Sequence, residues 1–122
     1  MKKILLVEDD QFISEMYTNK LQSEGFEIFL AKDGQEAIIK TTEIKPDLVL
    51  LDIVLPKKDG YEVLSEIKKN PDLAEVKVAM LTNLGQPDEI EKGMQSKADA
   101  YLIKAHSTPS QIVEKVKEML GK

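Results

Sequence analysis

The sequence contains no cysteine and no tryptophan, and aromatic residues make up only 5% of its 122 residues. The absence of cysteine excludes disulfide bonds and thiolate zinc sites, and it fits a reducing compartment. No apolar run approaches the roughly 20 residues that are needed to cross a bilayer. The N-terminal run Ile4–Val7 is too short for a signal peptide and leads directly into acidic residues. We therefore expect a cytoplasmic protein without a membrane segment.

Positive charge is also scarce, since 17 Lys and Arg residues stand against 22 Asp and Glu residues, which gives a net charge of −5. No run of basic residues interleaved with aromatics occurs, so direct binding of nucleic acid by this chain has little support. An apolar fraction of 42% and a charged fraction of 32% are typical of a globular protein. At this length, a single domain that spans residues 1–122 is expected.

Short apolar runs alternate with segments of helical spacing along the chain. Each run is bounded by polar or turn residues and is too short for a helix, which predicts strands. A more polar segment that begins at Gln86 is predicted as the fourth of five helices. The β-α order, repeated five times, predicts an α/β fold with a parallel sheet, helices on both faces and right-handed crossovers. The five runs are Ile4–Val7, Phe26–Leu30, Leu48–Leu51, Val76–Leu81 and Tyr101–Ile103.

Several residues have the character of helix caps. Asp10 is a predicted N-cap of the first helix, and Gly25 is predicted to follow its end. Asp33 and Asp59 each precede a glutamate by three residues, as in a capping box. Thr108, which is followed by proline, is predicted to begin the last helix.

The predicted core includes the first helix and the second strand. An apolar helix face is predicted for Phe12, Ile13, Met16 and Leu21, and Phe12 and Met16 are expected in the core with Phe26 and Phe29. A set of lysines is expected to lie on the solvated surface: Lys57, Lys58, Lys68 and Lys69.

Chemically coherent residues follow four of the five predicted strands. Ligands of such sheets bind at the carboxyl ends of the strands, near the point where the strand order reverses. Strand two ends in a turn, Ala31 to Gly34, that leads to a helix cap. The other ends carry Glu8, Asp9 and Asp10, then Asp52, then Thr82 and Asn83, and then Lys104.

Glu8, Asp9 and Asp52 would repel one another at close range unless a cation lay between them. Mg²⁺ prefers such oxygen ligands and also binds phosphate oxygens. Lys104 and Thr82 would add a positive charge and a hydroxyl donor for the same phosphate. This set suits phosphoryl transfer, in which one carboxylate can itself be the nucleophile.

Each residue alone also has a plain structural interpretation. Asp10 is more simply a helix cap, and Glu8 or Asp9 alone would be a solvated loop residue. Asp52 alone could cap a helix or pair with a lysine. Only the joint occurrence at four strand ends favours a functional site.

Four motifs in this order resemble the receiver domain of bacterial two-component response regulators, including the single-domain chemotaxis type. They are ILLVEDD at 4–10, LVLLDIVLPKKDG at 48–60, MLTN at 80–83 and AYLIK at 100–104, so the resemblance covers essentially the whole chain. It implies a flavodoxin-like doubly wound (βα)5 sandwich with a five-stranded parallel sheet in the order 2-1-3-4-5.

The resemblance also implies a role for each residue of the set. Asp52 corresponds to the phosphoacceptor, which takes the phosphoryl group from the phosphohistidine of a histidine kinase or phosphotransfer protein. Glu8 and Asp9 correspond to the acids that hold Mg²⁺ together with Asp52 and the main-chain carbonyl of Val54.

A conformational switch is implied as well. Thr82 corresponds to the hydroxyl residue that moves to the phosphoryl group, Lys104 to the lysine that binds it, and Tyr101 to the switch aromatic. The expected effector surface is formed by the fourth helix, fifth strand and fifth helix, and no direct contact with nucleic acid or membrane is expected.

The sequence departs from the family pattern near the expected site. Ala105 replaces the usual proline after Lys104, and a cis bond before a non-proline residue would cost roughly 2.5–4 kcal/mol. Asn83 stands where a small residue is usual. Val54 and Leu84 are apolar and cannot orient an attacking water, so we expect slow self-dephosphorylation and no turnover of a separate substrate.

Two alternatives remain at this point. One is a receiver-like interaction module that is not phosphorylated, which Asn83 and Ala105 favour and the complete set of site residues disfavours. The other is a Mg²⁺-dependent phosphatase, which would need an acid where Val54 stands.

Overall fold

Strands and helices alternate along the chain in a computed structural model that describes residues 1–52, 57, 60–82, 98–103 and 108–121. A short 3₁₀ turn, Pro71–Leu73, precedes the fourth strand. The elements are β1 (Lys3–Val7), α1 (Gln11–Ser23), β2 (Glu27–Ala31), α2 (Gly34–Ile44), β3 (Leu48–Asp52), α3 (Gly60–Lys69), β4 (Lys77–Thr82), β5 (Ala100–Ile103) and the C-terminal helix (Pro109–Leu120).

The five strands form one parallel sheet in the order β2-β1-β3-β4-β5, which confirms the predicted fold. The chain therefore winds outward from β1 in one direction and from β3 in the other. β1 and β3 are neighbours, so the strand order reverses between them. The crevice at their carboxyl ends is the place where such sheets bind ligands.

The central strands are buried on both faces. Alternate side chains point to opposite faces of a strand, and full burial of each such aliphatic side chain stabilises the fold by about 1.5–3 kcal/mol. On one face Leu5, Val7, Val49 and Leu51 pack with α2 and α3, whereas on the other Ile4, Leu6, Leu48 and Leu50 pack with α1 and the C-terminal helix; all eight have 0% exposure.

The predicted caps of three helices are confirmed. The Asp10 carboxylate accepts the Ile13 N–H at 3.1 Å, and the Asp33 carboxylate accepts the Glu36 N–H at 2.8 Å. Thr108 forms a complete capping box before the C-terminal helix. Gly25 follows the end of α1 with a φ of 91°, which favours glycine. Asp59 and the helix predicted from Gln86 lie outside the described residues.

The prediction that Phe12 and Met16 belong to the core is wrong. Phe12 is 77% exposed and Met16 is 37% exposed, whereas Ser14, Tyr17 and Leu21 form the buried face of α1. Each residue turns a helix by about 100°, so Phe12 lies about 200° from Ser14 on the opposite side. Phe26 is buried and Phe29 packs partly buried against the core, as predicted.

β2 lies at one edge of the sheet. The Ala31 carbonyl accepts the Glu8 N–H on the β1 side. Successive carbonyls of a strand point in opposite directions, so the Leu30 carbonyl faces away from β1. There it accepts a hydrogen bond from the Lys40 ammonium group of α2. None of the helices in the described ranges is long and apolar enough to span a membrane.

Candidate functional site

Three carboxylates meet where β1 and β3 end. One oxygen atom from each of Glu8, Asp9 and Asp52 lies within 4.8 Å of the other two. The strand register explains this arrangement, because Val7 pairs with Leu51 and the residues that follow them emerge side by side. Neighbouring strands lie about 4.8 Å apart, so these two backbones alone bring the acidic side chains within reach of one another.

The three carboxylates differ in their surroundings. Glu8 is 5% exposed, Asp52 is partly buried at the end of β3, and Asp9 is exposed. The Glu8 carboxylate accepts a hydrogen bond from the Asp10 N–H at 3.3 Å, and the backbone N–H of Glu8 donates to the Ala31 carbonyl at 3.0 Å. Glu8 is therefore held in place, while Asp9 remains open to solvent.

Asp10 does not belong to this group of ligand atoms. Its side chain caps α1, and its carbonyl accepts the Ser14 N–H at 2.9 Å. The plain structural interpretation of Asp10 is therefore confirmed. The acidic run after β1 divides into two acids of the carboxylate cluster and one helix cap.

The acidic cluster fits a hard divalent cation. Like charges at this spacing repel, and a cation between them converts that repulsion into attraction. The donors are all oxygen atoms, which suits Mg²⁺, Mn²⁺ or Ca²⁺ better than softer metals. Glu8 directly follows β1 and Asp52 is the last residue of β3, so the sheet supports the backbones from which these two carboxylates extend.

The remaining predicted site residues are placed by their backbones or lie outside the described residues. Thr82 is the last residue of β4, one position beyond Leu81, which pairs with Asp52. Thr82 itself pairs with Ile103 of β5, and Tyr101 pairs with Met80. Lys104 and Val54 lie outside the described residues, as do Asn83, Leu84 and Ala105.

An ion pair that the sequence did not predict joins the turn after β2 to Lys57, which lies between β3 and α3. Lys57 was expected on the solvated surface, but its ammonium group lies 3.6 Å from the Asp33 carboxylate. The pKa of Asp33 is lowered, first by the hydrogen bond from the Glu36 N–H and then by the charge of Lys57, while partial burial acts in the opposite direction. The two residues are distant in sequence, and no local pattern marks them as partners.

The fold and the acidic cluster together define a class: a flavodoxin-like, doubly wound α/β domain with its candidate site at the carboxyl edge of the sheet. The family follows from comparison with known proteins. Residues 4–117 match the model of the response regulator receiver domain, so the chain belongs to this family, the receiver domains of two-component systems.

Relatives and solved structures agree with this assignment. The chain is 36% identical over 120 residues to the phosphate regulon transcriptional regulatory protein PhoB of Rhizobium meliloti, which covers 98% of this chain and 52% of that protein. It is 31% identical, with a TM-score of 0.90, to a CheY-like response regulator receiver domain protein from Methanospirillum hungatei, which covers 99% of this chain and 94% of that one. The chain spans about half the length of the curated relatives it matches.

A further solved structure bears on the acidic cluster. The Mn²⁺-bound form of the response regulator Rcp1 is 33% identical, with a TM-score of 0.83, and covers 97% of this chain and 93% of that one. Receiver domains bind a divalent metal at an acidic cluster, and in this chain Glu8, Asp9 and Asp52 form such a cluster.

Proposed function

We propose that residues 1–122 form a single receiver domain, which acts in the cytoplasm as a phosphorylation-dependent switch. In this proposal, Asp52 accepts a phosphoryl group from the phosphohistidine of a histidine kinase or phosphotransfer protein. Glu8, Asp9 and Asp52 hold Mg²⁺, together with the main-chain carbonyl of Val54. The observation that carries the proposal is the approach of three carboxylates within 4.8 Å at the carboxyl edge of the sheet.

Asp52 is suited to act as the nucleophile. It ends a strand whose four preceding residues, Leu48–Leu51, have 0% exposure and pair with both β1 and β4, and Asp52 itself pairs with Leu81 of β4. An Asp52 oxygen forms the new bond to phosphorus as the bond between phosphorus and the donor imidazole breaks, and the electron pair stays on the imidazole nitrogen. When bound, Mg²⁺ neutralises the carboxylates and the oxygens of the transferred group.

Phosphorylation then acts through charge. It adds about −1.5 to −2 charges at Asp52 and new acceptor oxygens. Lys104 supplies a positive charge and Thr82 a hydroxyl donor to those oxygens, and Tyr101 changes position with Thr82. These contacts bias a two-state equilibrium, which an effector protein reads on the surface of the fourth predicted helix, β5 and the C-terminal helix. The position of Thr82, next in sequence to the pairing partner of Asp52, supports this role.

The proposed partners are proteins. PhoB is named as a transcriptional regulatory protein, and this chain spans 52% of its length. With its net charge of −5, this domain is proposed to make no direct contact with nucleic acid or membrane. Any DNA contact by a longer protein would then belong to another domain.

The first test is intact mass after incubation with Mg²⁺ and acetyl phosphate. We expect a gain of one phosphoryl group that requires Mg²⁺ and is lost in Asp52→Asn, which keeps the size of the side chain. If neither acetyl phosphate nor a phosphorylated histidine kinase phosphorylates a Mg²⁺-bound wild-type protein, the proposed switch is wrong. The alternative, an interaction module that is not phosphorylated, would then hold.

The phosphorylated state is expected to decay slowly. Val54 and Leu84 present no polar group that could orient water for attack on the phosphoryl group, so no turnover of a separate substrate is proposed. We expect a lifetime of minutes or longer, measured by intact mass after removal of the phosphodonor. Val54→Asn should shorten this lifetime, and a wild-type lifetime of seconds would contradict the expectation.

A further inference from the structure

The turn between β2 and α2, residues Ala31–Gly34, contributes no carboxylate to the acidic cluster but contacts the chain on both sides of it. On one side, the Ala31 carbonyl accepts the N–H of Glu8 at 3.0 Å. On the other, the Asp33 carboxylate lies 3.6 Å from the ammonium group of Lys57. Lys57 follows Asp52 by five residues, so the turn connects to both chain segments that supply the cluster.

Asp33 is the fixed member of its ion pair. Its side chain is 17% exposed, and it accepts the Glu36 N–H at 2.8 Å as the cap of α2. A carboxylate with these two restraints cannot follow a moving partner. Lys57 must therefore come to Asp33, which places a restraint on the connection between β3 and α3.

The backbone of Lys57 adopts an unfavourable conformation. Its φ is 68°, in the left-handed region that disfavours residues other than glycine, asparagine and aspartate. Its side chain is 62% exposed, so solvent was available to it as an alternative to Asp33. Glycine at this position would remove the backbone penalty but also the ion pair.

We propose that Asp33 and Lys57 are positioning residues that set the spacing of the cation site. The ion pair ties Lys57, five residues beyond Asp52, to the same turn that holds the backbone of Glu8. It thereby limits how far the ligands that follow β1 can separate from those contributed by the chain at the end of β3. This inference rests on the proposed function, because it assigns the pair a role toward the Mg²⁺ site.

For Lys57, the effect of its charge on cation affinity and the effect of its positioning contact have opposite signs. Removal of a nearby positive charge should strengthen the binding of a cation through the electric field, whereas loss of a positioning contact should weaken it. Lys57→Gln therefore separates the two effects by sign. Asp33→Asn does not, because both effects weaken binding, but asparagine retains the helix cap and so leaves α2 intact.

The experiment measures the dissociation constant for Mg²⁺ by isothermal titration calorimetry, without phosphodonor. We expect Lys57→Gln and Asp33→Asn each to raise it about two- to fivefold, the range expected for an exposed ion pair. The double variant should bind no more weakly than the weaker single variant, because both remove one interaction. Lys32→Gln is the matched control: Lys32 is exposed, adjoins Asp33 and pairs with no acid among the residues that the structure describes.

A metal-free measurement completes the test. Amide hydrogen exchange in residues 53–59 should be faster in Lys57→Gln and Asp33→Asn than in wild type or Lys32→Gln. Tighter Mg²⁺ binding by Lys57→Gln, or the same affinity as Lys32→Gln, would overturn the inference. Failure of wild-type phosphorylation at Asp52 would instead count against the proposed function, so the two can be told apart.

Discussion

Asp99 fixes the start of β5 through three contacts. Its N–H donates to the Val78 carbonyl at 2.8 Å, and its carboxylate accepts the Val78 N–H at the same distance. The same carboxylate oxygen pairs with the Lys68 ammonium group of α3 at 2.8 Å. One residue thus sets the register between β4 and β5 and links both strands to α3, although Lys68 was expected to be solvated.

Substitution of Asp99 should separate its two roles. In Asp99→Asn the amide oxygen still accepts the Val78 N–H, and only the ion pair with Lys68 is lost. We therefore expect the free energy of unfolding to fall by at most about 1 kcal/mol, as for an exposed ion pair. Asp99→Ala leaves that N–H without its side-chain partner and should cost about 1–3 kcal/mol. Urea unfolding measures both. Lys68→Gln should match Asp99→Asn, and equal losses for asparagine and alanine would show that the Val78 contact contributes nothing.

Prediction from sequence was weakest at the level of residues. The sequence predicted one apolar face of Phe12, Ile13, Met16 and Leu21. Leu21 is buried and Ile13 packs partly buried against the core, whereas Phe12 and Met16 are exposed and Ser14 and Tyr17 are buried in their place. Likewise, the partners of Lys57 and Lys68 are aspartates on other elements, which only the strand order and register bring close. Pairing of this kind is a property of tertiary structure and leaves no local pattern.

Elements were predicted more successfully, because their signals are local. Each strand lies within one or two residues of a predicted apolar run, and the caps at Asp10, Asp33 and Thr108 are where the sequence places them. The short 3₁₀ turn Pro71–Leu73 was not predicted, since its three residues have no periodicity.

An ion pair joins α1 to the C-terminal helix and makes a pH-dependent contribution to the stability of the fold. Lys117 lies 2.8 Å from Glu24, at the end of α1, and 3.7 Å from Glu114. The hydrogen bond to Glu24 is the main cause that raises the pKa of Lys117 above its usual value of 10.5. Because the folded pKa is raised, the stabilisation is fully present below pH 10.5 and is lost as the pH rises through the folded value.

Glu24→Gln tests this contribution. At pH 8 the wild type should have the higher melting temperature, and the difference should shrink as the pH rises above 10.5, since Lys117 then loses its charge in both proteins. The comparison uses thermal unfolding by circular dichroism across alkaline pH. Glu27→Gln, at an exposed residue that begins β2, is the control. A difference that stays constant with pH would refute the assignment.

At the scale of the whole molecule, the order of strands brings distant parts of the chain into one site. Glu8 and Asp9 are far from Asp52 in sequence, yet β1 and β3 are neighbours and their ends meet. The sequence predicts this meeting because a parallel α/β sheet gathers all strand ends at one edge. It does not supply distances, which depend on the register of Val7 with Leu51.

The acidic cluster should couple global stability to Mg²⁺. If Mg²⁺ binds only the folded state, it raises the free energy of unfolding by about 2.7 kcal/mol at a concentration of 100 times its dissociation constant. The melting temperature should therefore rise with Mg²⁺. Asp9→Asn should remove most of this rise. It should not destabilise the metal-free protein, because it relieves repulsion among three carboxylates. Asp72→Asn, at an exposed residue of the 3₁₀ turn, should respond to Mg²⁺ as the wild type does, and the same rise in Asp9→Asn would argue against the site.

The contact between Lys40 and the Leu30 carbonyl affects how copies of the protein meet one another. The outer edge of β2 would otherwise present unpaired backbone groups as a template for a strand from a second molecule. An incoming strand must displace a charged side chain from one of those groups before it can form its own hydrogen bonds. Lys40, in the helix that directly follows β2, thus disfavours edge-to-edge aggregation at the open edge of this parallel sheet.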